Sequence, residues 1–194
     1  MPTIRRISFL ILLTLALVTA IGISDMDIFT KSEAKLSLVD EAWGQAGSIA
    51  YQAAAKTMRS KNGVGLPLDN IQKRYLRRYF IDYLDRVTVV YNAQMMDRWK
   101  VGNIAVHFGN VEAIAQTYCD QIYLRDPQNS EDLRQLGILA HEMVHVRQCF
   151  QNGGLDQFGY QYFVEYKRAK QKYENNLMER EAYALQSKFF KANS

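Results

Sequence analysis

Two histidines and a glutamate in one short stretch have the types and spacing to bind and use a metal ion. His141 and His145 are four residues apart, and Glu142 directly follows the first histidine, which gives the pattern HExxH. On a helix, residues i and i+4 lie on the same face, so both imidazoles can reach one ion. Glu142 lies about 100° further round the helix, where its carboxylate can reach a water bound to that ion. This spacing predicts a catalytic zinc site with Glu142 as the general base.

The residues around this motif indicate that its helix is buried. Apolar residues occupy most positions from Leu133 to Val146. A helix that is apolar on nearly every side lies in a protein core. Two histidines and a glutamate are costly to bury unless they are paired or bound to a metal. The buried context therefore favours a metal site over histidines that only form hydrogen bonds in the core.

A catalytic zinc ion needs a third protein ligand and one open position for water. The extended motif HExxHxxGxxH is absent, because positions 148 and 151 are both glutamine. His107 is the only histidine outside the motif, so we expect a carboxylate from a downstream helix. Glu179 and Glu181 lie about 200° apart round that helix, so only one of them can face the ion. The small residue Ala182 follows Glu179 at i+3 and lets two helices approach, which favours Glu179.

The elements that must position these residues can be assigned from hydrophobic spacing and turn residues. We expect helices over residues 48–59, 69–84 with Asp69 as N-cap, 133–150 with Ser130 as a candidate cap, 158–173, and from 176 onward. We expect strands over residues 86–91, within 99–108, and over 116–124, directly before the motif helix. The motif helix should end at Asn152-Gly153-Gly154.

The start of the chain has the pattern of an export signal. Two arginines, at positions 5 and 6, precede an apolar run over residues 7–23. We expect residues 1–23 to be a cleaved signal peptide, with an uncleaved membrane anchor as the alternative. Residues 24–45 are polar and predict a linker or pro-segment, which leaves residues 46–194 as the folded domain. The protein is therefore expected in the periplasm or outside the cell.

The charge pattern gives little reason to expect a nucleic-acid partner. Removing residues 1–20 takes away two arginines and no acid, so the formal net charge falls from +4 to +2. One helix face carries four basic residues, Lys73, Arg74, Arg77 and Arg78. This face is interpreted as solvated, with binding of an anionic lipid surface or of nucleic acid as the alternative.

The two cysteines predict one disulfide. Cys119 and Cys149 are an even pair in a chain expected in an oxidising compartment. Two free thiols are the alternative. Cys149 lies about 12 Å along the motif helix from His141, so these two side chains cannot bind the same ion.

The motif HEMVH, followed on a later helix by the stretch Asn176–Tyr183 with its Glu-x-x-Ala, resembles the gluzincin metallopeptidases. It is most similar to the small secreted bacterial minigluzincin-like domains, over about residues 86–190. The resemblance implies an α+β, zincin-like (minigluzincin) fold, in which a short mixed sheet packs on the HExxH helix and further helices. It implies His141, His145 and Glu179 as zinc ligands and Glu142 as base. Many gluzincins carry an acid four residues after the zinc glutamate. Here that position is Tyr183, so the partner of a ligating histidine is unassigned.

The function that the resemblance implies is that of an exported zinc metallopeptidase. Peptide bonds would be hydrolysed by a zinc-activated water, with Glu142 as general base. A peptide or protein substrate could pair with the outer edge of the strand over residues 116–124. Candidate donors to the oxyanion are Tyr160, Tyr162, Tyr166 and His107. The alternative is a non-catalytic zinc-binding or partner-binding envelope protein that retains the zincin fold, although a purely structural site has no use for Glu142.

Overall fold

The computed structural model describes residues 28–96, 99–101, 104–106 and 113–193, with side chains over 38–96 and 113–193. Its helices are α1 (Ile28–Asn62), α2 (Asn70–Phe80), α3 (Leu133–Asn152), α4 (Leu155–Arg168) and α5 (Leu177–Asn193). Its strands are β1 (Leu66–Pro67), β2 (Thr88–Val90), β3 (Trp99–Val101), β4 (Ile104–Val106), β5 (Ala115–Tyr118) and β6 (Gln121–Leu124). The fold is α+β, as expected.

The expected signal or anchor over residues 1–23 lies outside the described residues. Among the helices of the described part, none combines the length and the apolar character needed to span a membrane.

Helix α1 begins at Ile28, so the helix start predicted at residue 48 is wrong. Much of the expected linker or pro-segment over residues 24–45 is therefore helical. Gly44 and Gly47 led the sequence analysis to start the helix too late, because each glycine costs about 1 kcal/mol in a helix interior. One of them is needed in the fold: a Cβ on Gly47 would lie 2.3 Å from the Cβ of Phe163 on α4. Asp40 also belongs to the packed domain, since its carboxylate accepts a hydrogen bond from Arg168 at 2.9 Å.

The main sheet has the strand order β1-β2-β6-β5, which places β5 at one edge. β2 and β6 are parallel, while the other two pairs are antiparallel, so the sheet is mixed. β2 confirms the strand predicted over residues 86–91. The single strand predicted over 116–124 is wrong, because Cys119 and Asp120 turn the chain into a hairpin, with Cys119 at φ 58°. A continuous run of strand-forming residues concealed this turn. A separate antiparallel pair, β3–β4, lies within residues 99–108.

Helix α3 carries the HExxH motif and is buried along most of its length. Its N-cap is Asp132, whose side chain accepts a hydrogen bond from the Arg134 N–H at 2.8 Å. The predicted cap, Ser130, is therefore wrong. The Ser130 hydroxyl donates instead to Asp69, the confirmed N-cap of α2. α3 ends where predicted, at Gly153 in the left-handed conformation.

Helices α4 and α5 both pack against α3. α4 ends at Arg168, earlier than the predicted end near residue 173, and α5 begins at Leu177. The largest apolar core joins α2, the sheet, α3 and α5, and includes Leu76, Phe80, Val89, Ile122, Leu139 and Phe189. This packing fixes the rotation of α3 and α5 about their axes, and so decides which side chains they present to each other.

The predicted disulfide between Cys119 and Cys149 is confirmed. Cys119 lies in the β5–β6 turn, and Cys149 lies near the end of α3. The bond therefore fastens the tip of the edge hairpin to the helix that carries the motif.

Candidate metal centre

Successive turns of α3 bring the two histidines together. His141 and His145 are each 6% exposed, and their Nε2 atoms are 3.3 Å apart. The i,i+4 spacing produces this arrangement, as predicted. Around an ion bound at about 2.1 Å, tetrahedral ligand atoms lie about 3.4 Å apart. The two nitrogens therefore have the separation that a shared ion requires.

Glu179 on α5 completes a group of three candidate ligands. Its carboxylate oxygens lie 3.3 Å from His141 Nε2 and 3.5 Å from His145 Nε2, and the residue is 3% exposed. Tyr162 donates a hydrogen bond to Glu179 Oε1 at 2.7 Å. In the part of the chain that the structure describes, Glu179 Oε2 is buried without a hydrogen-bond partner. This oxygen lies 3.3 Å from His141 Nε2 but has no hydrogen bond to the described residues, and coordination of a cation would satisfy it. The group His141, His145 and Glu179 could thus bind a metal ion.

The other candidate ligand, Glu181, points away from the histidines. Its side chain is 52% exposed and accepts a hydrogen bond from Arg147 at 2.6 Å. It also accepts one from Gln148 at 2.7 Å. The rotation of about 200° between positions 179 and 181 explains why only one carboxylate faces the site.

Glu142 faces the edge strand β5. Its Oε2 accepts a hydrogen bond from Thr117 Oγ1 at 2.7 Å, and both side chains are buried. Its charge helps to raise the pKa of His145. The sequence did not identify Thr117, because the register of the hairpin determines which of its side chains face α3.

The buried charges of this group shift each other's pKa. Burial lowers the pKa of His145, but the charge and contact of Glu179, the charge of Glu142 and the hydrogen bond with Gln148 together outweigh it, and the pKa rises from 6.5 to about 9. Burial raises the pKa of Glu179, but the charge of His145 and the contacts with both histidines lower it more, so it falls well below 4.5. In the metal-free protein these two side chains therefore form an ion pair. A divalent cation would take the place of the imidazole proton.

Tyrosines surround the candidate ligands. The Tyr183 ring packs against His141, with ring centroids 4.6 Å apart, so this position provides an aromatic contact. Burial and then the charge of Glu179 raise the pKa of Tyr162 and of Tyr173. These phenols therefore stay protonated and can donate hydrogen bonds.

The three tyrosines that the sequence offered as candidate oxyanion donors have other contacts in the structure. Tyr160 and Tyr166 pack against α1, beside Gly44 and Trp43 respectively. The Tyr162 hydroxyl is used by Glu179. His107 lies outside the described residues.

Tyr51 of α1 contacts the backbone of the edge strand. Its hydroxyl donates to the carbonyl oxygen of Thr117. The Arg125 N–H donates to the Ile114 carbonyl at 3.0 Å, which marks a hydrogen-bonded pair in the β5–β6 ladder. Because bonded and non-bonded pairs alternate, Thr117 directs its N–H and C=O away from β6. Tyr51 thus occupies one acceptor on the side where a substrate strand was expected. No sequence signal links it to Thr117, since the two are 66 positions apart.

No family model, curated protein or solved structure matches this chain. The chemistry of the donor set and its surroundings must therefore support any functional conclusion. Two imidazole nitrogens and one carboxylate oxygen are donors that suit a divalent transition-metal ion. Their separations, their burial and the lack of a hydrogen bond to Glu179 Oε2 within the described part of the chain fit such an ion.

Proposed function

We propose that the protein is a zinc-dependent metallopeptidase with a zincin-like, minigluzincin-type fold. The observation that carries this proposal is the buried group His141, His145 and Glu179, with the buried Glu142 directly after His141 on the same helix. Two histidines and a glutamate form a ligand set typical of catalytic zinc, which keeps a fourth position open. A structural zinc site has four protein ligands, whereas the described residues supply three here.

The residues of the site have distinct roles in the proposed hydrolysis. His141, His145 and Glu179 would hold the ion, which supplies a Lewis acid that polarises the scissile carbonyl and acidifies water. Glu142 takes a proton from the water as its oxygen bonds to the carbonyl carbon. Glu142 then passes that proton to the amide nitrogen as the C–N bond breaks. Thr117 holds Glu142 Oε2, which fixes the orientation of the carboxylate during both transfers.

The proposed substrate is an extended peptide or protein segment. Ala115 and Thr117 direct their backbone groups to the side of β5 away from β6, and an extended chain can pair there as an added strand. Thr117 also contacts Glu142, so a segment on this edge would lie beside the base. The Tyr51 hydroxyl on the Thr117 carbonyl would have to move if the segment pairs at that position.

Export is part of the proposal. The disulfide between Cys119 and Cys149 supports it, because such bonds persist in oxidising compartments. The basic and apolar pattern over residues 1–23 supports the same destination.

The test combines metal analysis with a protease assay on the purified full chain. We expect about one zinc per chain and hydrolysis of an unfolded protein such as casein, which a chelator abolishes. Glu142→Gln should retain zinc but lose activity. Glu165→Gln is the matched control, since Glu165 is a buried glutamate that pairs with Arg168 on α4. It should leave zinc content and activity unchanged.

Each outcome of this test separates the candidate functions. Undiminished proteolysis in Glu142→Gln would refute the assigned mechanism. Stoichiometric zinc without hydrolysis of any peptide would favour the non-catalytic zinc-binding protein. A wild-type chain that takes up no zinc would refute both.

A further inference from the structure

Gln148 lies one turn after the second histidine and makes three hydrogen bonds in the core. Its Oε1 is 2.9 Å from His145 Nδ1. Its Nε2 donates to Glu181 Oε2 at 2.7 Å and to the Met178 carbonyl at 3.1 Å. The side chain is buried, and its amide joins α3 to α5.

The two acceptors on α5 fix the orientation of the Gln148 amide. A carboxylate and a carbonyl accept hydrogen bonds only, so the NH₂ group must point to Glu181 and Met178. The amide oxygen then faces His145 and can only accept. In the neutral imidazole that a metal ion requires, His145 Nδ1 therefore carries the proton, which leaves the lone pair on Nε2, the nitrogen that faces His141 and Glu179.

The same amide also holds the helix that supplies the third candidate ligand. Met178 and Glu181 stand on either side of Glu179 in the first turns of α5. Arg147 binds Glu181 at 2.6 Å and keeps that carboxylate in place for Gln148. Gln148 thus positions His145 by a direct hydrogen bond. It positions Glu179 through hydrogen bonds to the neighbouring residues Met178 and Glu181.

We propose that Gln148 is the positioning residue of the metal centre, setting the His145 tautomer and docking α5 so that Glu179 reaches the ion. This inference rests on the proposed metal site. It also supplies the histidine partner that position 183 does not provide. A partner that holds the far nitrogen of a ligating histidine typically contributes about 10- to 100-fold in metal affinity.

The experiment measures zinc affinity by competition with a chromophoric chelator in the full chain. Q148L should weaken zinc binding about 10- to 100-fold. Q135L is the matched control: Gln135 is also buried on α3, and it makes two hydrogen bonds, with Asn129 and Pro127, at 2.8 and 2.9 Å. We expect Q135L to lower the free energy of unfolding without changing zinc affinity.

An exchange of the two side chains tests the geometry independently of any loss of stability. Q148E alone places two carboxylates together and should weaken binding. Q148E/E181Q restores an acceptor for His145 and a donor between positions 148 and 181, although not the donor to the Met178 carbonyl, so it should recover part of the affinity. The spectrum of bound Co²⁺, which reports ligand geometry, should return toward that of the wild type in the exchanged variant.

The results distinguish this inference from the proposal on which it rests. Zinc affinity in Q148L within threefold of wild type would overturn the role of Gln148 while leaving the site intact. An equal loss in Q135L, or no recovery in Q148E/E181Q, would also overturn it. A wild-type chain that binds no zinc would refute the metal site itself.

Discussion

Replacing Glu179 by glutamine should remove most of the stability that the protein gains from a bound metal. The carboxylate is 3% exposed and lies 3.3 and 3.5 Å from the two histidines, while Glu181 is 52% exposed and lies elsewhere. Loss of a residue that hydrogen-bonds a metal ligand typically weakens metal affinity about 10- to 100-fold, so loss of a ligand itself should weaken it at least about 100-fold.

The size of the effect follows from mass action. Zinc at about 1,000 times the dissociation constant stabilises the wild type by about 4.1 kcal/mol. A 100-fold weaker site leaves zinc at about 10 times the dissociation constant, which stabilises by about 1.4 kcal/mol. Glu179→Gln should therefore lose about 2.7 kcal/mol of metal-dependent stability. The neutral amide still offers an oxygen to Tyr162, so most of the apolar packing around it is retained.

The assay is urea unfolding of the full chain, in a chelator and in a zinc buffer. Glu181→Gln is the control, because its carboxylate contacts Arg147 and Gln148 and not the ion. It should lose less than about 1.4 kcal/mol, which corresponds to tenfold in affinity. Equal zinc stabilisation in Glu179→Gln and the wild type would refute the assignment of the third ligand. A larger loss in Glu181→Gln than in Glu179→Gln would reverse it.

Three further predictions concern the stability of the domain. Because the pKa of His145 is raised from 6.5 to about 9, its contribution to metal-free stability is present below pH 6.5 and is lost as the pH rises to about 9. Unfolding in a chelator at pH 6 and at pH 9 should show this loss of stability, and the difference between the two pH values should be smaller in His145→Gln. Replacing Cys119 and Cys149 by alanine should cost about 3 to 4 kcal/mol from loop closure over a separation of 30 residues; an unchanged unfolding midpoint would contradict this. Gly47→Ala should destabilise by up to about 2 kcal/mol, since overpacking at 2.3 Å outweighs the helix propensity gained; a stabilised variant would show that α1 and α4 can separate freely.

Local spacing was sufficient to predict much of the candidate site. HExxH places two imidazoles and a carboxylate on a helix by a rule that needs no tertiary contact, and the fold leaves His141 and His145 where the rule puts them. The disulfide followed from the cysteine count and the expected compartment. The start of α2 at the N-cap Asp69 and the end of α3 at Gly153 were also predictable, because each depends only on adjacent backbone groups.

The errors arose where a local preference conflicted with long-range packing. Glycine disfavours a helix locally, yet α1 continues through Gly47 because the absent Cβ admits α4. The hairpin turn at Cys119 and Asp120 contains neither glycine nor proline, and a disulfide to α3 holds it. Strand propensity therefore predicted one strand where the chain forms two.

By itself, the sequence determined the pair of histidines, the adjacent glutamate and the two candidate acids, because each of these depends on helical periodicity. Only the tertiary structure decided between Glu179 and Glu181, since that choice depends on how the core rotates α5 against α3. It also decided the contacts around the site that join distant parts of the chain: Thr117 with Glu142, and Gln148 of α3 with Met178 of α5. Periodicity places side chains on one helix, whereas the contact between two helices is fixed by the packing of everything around them.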